Sequence, residues 1–120
     1  VLNLGHTIGH AIEAATGFRR LSHGEAVALG LRAALRLSRE LARLPESDEA
    51  AGHALLDELG LPSRLDGVRA EEVRALIHRD KKARQDGVRY VLLRRLGFPV
   101  LGVRVPPELE LEVVEWLRTR

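Results

Sequence analysis

Apolar residues recur at helical spacing along most of the chain, and breakers divide them into segments. The first segment runs from about Leu4 to Ala15, where Ile8, Ala11, Ile12 and Ala15 form a stripe and Gly17 is placed to end the helix. A longer helix is predicted from His23 to about Arg43, with Val27, Leu31, Ala34, Leu35, Ser38 and Leu41 on its inner face and Leu44-Pro45 ending it. Ser22 and Glu25 match the S-x-x-E capping box at its start. Ser47 is the predicted cap of a third helix, with Leu55, Leu56 and Leu59 apolar and Gly60-Leu61-Pro62 as the stop.

A fourth helix is expected from Ala70 to about Lys82 on Val73, Leu76 and Ile77, closing in the basic run His78 to Arg84. Helical periodicity then gives way. Val88 to Leu93 is the best strand candidate, Gly97-Phe98-Pro99 breaks it, and Val100 to Val105 is expected to return as a second strand. Pro106-Pro107 opens a last helix with Leu109, Val113, Trp116 and Leu117 inward. The predicted architecture is mainly α, a multi-helix domain with a small β-hairpin.

Composition agrees with this pattern. Of 120 residues, 45% are hydrophobic but only 3% aromatic, so the core must come from Leu, Ala and Val, which favour helices over sheets. Size predicts one domain over residues 1–120. A net charge of +2 does not call for nucleic acid, and no apolar run reaches membrane-spanning length. The chain has no Cys, which excludes disulfides and thiolate metal sites and points to the cytoplasm. It opens Val1-Leu2-Asn3 without a methionine, and a chemistry-bearing motif so near the first residue is expected of a piece cut from a longer protein.

The candidate chemistry lies between Asn3 and Glu25. His6 and His10 are four residues apart, hence roughly 40° apart around a helix, a common way to bring two imidazoles to one divalent metal. His23 follows at a capped helix start. These three can supply the ligands of a catalytic zinc, or two of them can act with a carboxylate, Glu13 or Glu25 being nearest; Glu25 is engaged if the capping box forms. The bland alternative is a set of polar residues at a helix interface. Gly5 and Gly9 weaken a helix, so something comes close there, a ligand or a neighbouring helix. His53 has no partner in sequence and reads as an ordinary surface or packing histidine.

The run N-L-G-H-T-I-G-H-A-I-E, followed by H-G-E-A-V, resembles the metal-site signature of the 3-dehydroquinate synthases, in the sugar-phosphate cyclase superfamily. The resemblance continues through the long helix, Gly60-Leu61-Pro62, Asp80-Lys81-Lys82 and the strand Val88 to Leu93. It implies that His6 and His23 are two ligands of a zinc, or of cobalt, with a glutamate elsewhere in the protein as the third. His10 then contacts the phosphate-bearing end of the substrate, Asn3 contacts substrate, and Lys81 or Lys82 binds phosphate. This reassigns His10 from metal to substrate.

The resemblance further implies the C-terminal half of a two-domain enzyme whose N-terminal NAD-binding α/β domain is absent, with the fragment inactive alone. The reaction implied is conversion of 3-deoxy-D-arabino-heptulosonate 7-phosphate to 3-dehydroquinate and phosphate, with NAD and the metal as cofactors. Family members are usually dimers. The competing readings are another sugar-phosphate cyclase, an iron- or zinc-dependent polyol dehydrogenase, and a non-catalytic helical module.

Overall fold

The first helix, α1 (His6–Ala15), begins at Gly5, which takes a left-handed φ of 78° that a side chain would strain, and stops at Thr16 and Gly17, the latter also left-handed. The sequence placed Gly5 inside the helix; it stands at the N-cap instead. In a computed structural model, residues 5–17, 21–83 and 90–120 are described, excepting the side chains of residues 80–83. The remaining elements are α2 (His23–Leu41), α3 (Glu46–Glu58), α4 (Ala70–Ala83), β1 (Tyr90–Arg95), β2 (Phe98–Val103) and α5 (Pro107–Arg118). The mainly α architecture with one antiparallel hairpin is as expected. No helix among the described residues is long and apolar enough to cross a membrane.

The capping box forms. The Glu25 N–H donates to Ser22 Oγ at 3.1 Å and the Ser22 N–H donates to Glu25 Oε1 at 2.8 Å. The helix it starts is the central one: α2 packs on α1, α3, α5 and β1. With neighbours on several sides, its buried surface is wider than one stripe. Leu29, Ala33 and Leu37 are sealed, whereas Val27 and Leu31 are half-buried and Leu41 is exposed, so the predicted inner face is turned partly outward.

The crossing of α1 and α2 is made close by glycine. A Cβ on Gly5 would stand 2.7 Å from the Leu31 backbone nitrogen, and one on Gly30 would collide with the Gly5 carbonyl oxygen. A neighbouring helix, not a ligand, occupies the space left by Gly5 and Gly9, since a Cβ on Gly9 would meet Ala26 O at 3.3 Å. The close crossing lets Ile8, Ile12, Ala26 and Leu29 share one core with Val73 and Ile77 of α4 and Val113, Val114 and Leu117 of α5. A second cluster, Leu35, Leu44, Leu56 and Leu93, joins α2 to α3 and β1.

Two buried polar groups lock these layers. Arg32 on α2 is completely enclosed, donating from Nε to Pro62 O and from NH2 to Asp57 Oδ1, both at 2.7 Å. Glu49 on α3 accepts from Arg36 Nε at 2.9 Å and from His53 Nε2 at 3.0 Å. His53 is thus a packing histidine, beside the Trp116 ring at 5.5 Å. Helix α3 starts at Glu46, one residue before the expected Ser47 cap, because the Pro45 carbonyl accepts the Asp48 and Glu49 N–H groups at 3.0 Å. Leu56 is buried, but Leu55 and Leu59 project outward.

Of the expected first strand, Val88 and Arg89 lie outside the described residues; β1 runs on two residues past Leu93 to Arg95, and β2 starts and ends two residues earlier than the pattern suggested, with Pro99 inside it opposite Leu93. A two-stranded sheet leaves both strands at an edge, where a missing N–H is tolerated. Ser38 Oγ accepts the Leu93 N–H at 2.8 Å and fastens β1 to α2.

Candidate functional site

Burying Ile8, Ala11 and Ile12 of α1 against α2 and α4 turns His6, His10 and Glu13 onto a single stripe, since i, i+4 and i+7 fall on one side of a helix. The capping box fixes His23 as the first residue of α2. Because α1 and α2 cross so closely, this helix start lies alongside that stripe. The His6 and His10 rings meet edge to face with centroids 5.5 Å apart, and the His10 and His23 rings are 6.2 Å apart. Two imidazoles from α1 and a third from the start of α2 therefore stand in one row.

Glu13 completes the row. Its Oε1 and Oε2 lie 3.2 and 3.3 Å from His23 Nδ1. A carboxylate only accepts, so the proton facing it sits on Nδ1, which leaves Nε2 as the nitrogen with a lone pair whenever the ring is neutral. The Glu13 side chain is 16% exposed, against 63% for His23, so the carboxylate backs the ring from the protein side. Glu13 was only a nearby carboxylate in the sequence; the seven-residue spacing from His6 is the signal that places it on the same stripe.

Among the described residues no three His, Asp or Glu side chains are grouped to hold a metal ion. The donor chemistry present, imidazoles with one ring oriented by a carboxylate, suits zinc or cobalt supplemented by a further donor from elsewhere. The expected substrate contact Asn3 lies outside the described residues. Lys81 and Lys82 fall in the last turn of α4, and their side chains lie outside them too.

Residues 1–83 match the family model described as 3-dehydroquinate synthase C-terminal. The chain is 45% identical over 107 residues to a 3-dehydroquinate synthase of Acidithiobacillus ferrooxidans, covering 89% of this chain and 29% of the relative. Against the 3-dehydroquinate synthase of Nostoc punctiforme it is 39% identical over 116 residues, covering 96% of this chain and 32% of the relative. The chain thus spans about a third or less of the length of these curated relatives. Among solved structures, it resembles a 2-deoxy-scyllo-inosose synthase complexed with carbaglucose-6-phosphate, NAD+ and Co2+, with a TM-score of 0.79 and 30% identity over 94% of this chain and 32% of that one. It also shares its fold with a 2-epi-5-epi-valiolone synthase from Streptomyces hygroscopicus subsp. jinggangensis, solved with NAD+ and Zn2+, at a TM-score of 0.83 and 23% identity over 96% of this chain and 32% of that one.

Proposed function

The chain belongs to the 3-dehydroquinate synthase C-terminal family, and from that premise we propose that it forms the metal- and substrate-binding half of an enzyme converting 3-deoxy-D-arabino-heptulosonate 7-phosphate to 3-dehydroquinate and phosphate. In this reading it works in the cytoplasm, as a dimer, with an NAD-binding α/β domain supplied by the rest of the protein. The chain's own sequence offers no glycine-rich nucleotide loop, so NAD is assigned to that domain.

The observation that carries the proposal is the row of His6, His10 and His23 backed by Glu13. His6 and His23 would hold the zinc or cobalt, and Glu13 would keep His23 in the tautomer that leaves Nε2 available as a ligand. When bound, the metal supplies Lewis-acid polarisation of substrate oxygens, and NAD supplies a reversible hydride acceptor. His10, exposed like His23, hydrogen-bonds the phosphate-bearing end of the substrate. Asn3 orients the sugar, and Lys81 or Lys82 offsets the charge of the departing phosphate. The two ligands come from different helices, so the α1–α2 crossing sets the spacing of the site.

A different sugar-phosphate cyclase is the second reading, favoured by the likeness to 2-deoxy-scyllo-inosose synthase, though at 30% identity against 45% for the first. The deciding experiment supplies the full-length protein with NAD and zinc or cobalt and follows inorganic phosphate released from the heptulosonate phosphate. Release supports the proposal; none from this substrate, with turnover of a hexose phosphate, would favour the second reading.

A further inference from the structure

Away from the histidine row, a buried group of polar side chains joins β1, α5 and α4. The Tyr90 hydroxyl donates to Glu110 Oε2 at 2.6 Å, and both residues are 5% exposed. The other carboxylate oxygen, Oε1, stands 3.9 Å from His78 Nε2. That nitrogen is buried and has no hydrogen-bond partner among the described residues. A distance of 3.9 Å is too long for a hydrogen bond, yet a small side-chain rotation would close it. A buried carboxylate with one oxygen satisfied and the other beside an unmatched imidazole nitrogen has a reason to draw that imidazole in.

Tyr90 also lines a small cavity with Gly5, Thr7 and Ile8, at the first turn of α1. Tyr90 therefore stands beside the first turn of α1, the turn in which His6 begins its stripe. From there His78 leads onward: Lys81 and Lys82 follow it by three and four residues, one turn further in α4. Burial, together with the Glu110 charge, holds the Tyr90 phenol well above its usual range, so it remains a donor at any working pH.

The geometry points to His78, set beside the Tyr90–Glu110 pair, as a positioning residue for the last turn of α4 in binding the substrate phosphate. This rests on the reading of Lys81 or Lys82 as the phosphate ligand. The basic end of α4 has a bland explanation in the helix dipole, but the dipole gives no reason for a buried carboxylate–phenol pair aimed at the histidine one turn before it.

The test titrates inorganic phosphate into the full-length protein and measures zinc affinity alongside. His78→Ala removes the imidazole that a small rotation would bring onto Glu110, weakens phosphate binding about tenfold, the size of one hydrogen bond to a charged group, and leaves zinc affinity unchanged. His78→Gln, which keeps an N–H donor, recovers most of the loss, and Tyr90→Phe shifts phosphate affinity in the same direction by a smaller factor. Should His78→Ala not fold, Tyr90→Phe decides alone. Equal phosphate affinity in wild type and variants overturns the inference, as does no phosphate binding by wild type, or a parallel fall in zinc affinity that His78→Gln does not restore. A wild type that binds phosphate but releases none from the heptulosonate phosphate would instead contradict the proposed function.

Discussion

Glu13 meets the Nδ1 of His23 at 3.2 Å although the two belong to different helices, so the packing of α1 on α2 and the orientation of one imidazole are a single structural fact. A carboxylate behind a metal-binding histidine fixes its tautomer and raises its basicity. In the full-length protein, Glu13→Gln should weaken zinc binding by about 10- to 100-fold, the range for lost outer-sphere partners, with little change in melting temperature. Calorimetric titration checks this, and an unchanged zinc affinity would separate Glu13 from the site.

The helix crossing that creates this contact depends on Gly30, whose missing side chain leaves room for the Gly5 carbonyl, with Gly9 N also 2.8 Å from where a Cβ would stand. Both neighbours are backbone and cannot swing aside. Gly30→Ala should destabilise the protein by about 1–3 kcal/mol or more, as overpacking does, and weaken zinc binding too because His23 is displaced from Glu13. Denaturant unfolding and metal titration of the same variant should move together. Gly24→Ala is the control, since nothing lies within 4 Å of a Cβ there.

His53 gives a pH dependence unrelated to the metal. Burial lowers its pKa from the ordinary 6.5; the hydrogen bond from its ring to Glu49 opposes the shift, and Arg120 and Arg32 reinforce it. Folding therefore favours the neutral ring. Its contribution is complete above pH 6.5 and declines as pH falls below that value through the lowered folded pKa. Wild type should lose unfolding free energy relative to His53→Gln over this acid range, at no more than about 1.4 kcal/mol per pH unit for one proton. Parallel stability profiles for the two proteins would contradict the assignment.

Much of this arrangement was legible in the chain because it is written locally. The capping box at Ser22 and Glu25 needs only a four-residue pattern, and the Ile8 and Ile12 stripe needs only helical periodicity. Arg32 was not foreseeable: its enclosure depends on the carbonyl of Pro62 and the carboxylate of Asp57, brought up from 30 and 25 residues away. The wide burial of α2 was missed for a related reason, since periodicity describes one covered face and this helix is packed by four elements. At the site, the spacing of His6 and His10 suggested a shared metal, and only the family resemblance separated their roles. Glu13 as the partner of His23 required knowing how α1 and α2 cross.

The division of labour along the histidine row is tested most directly by zinc titration of the full-length protein and its His6→Ala, His10→Ala and His23→Ala variants. The account predicts that His6→Ala and His23→Ala abolish zinc binding, whereas His10→Ala binds zinc within a few-fold of wild type and loses affinity for the sugar phosphate. Loss of zinc binding in His10→Ala, with retention in His23→Ala, would contradict it.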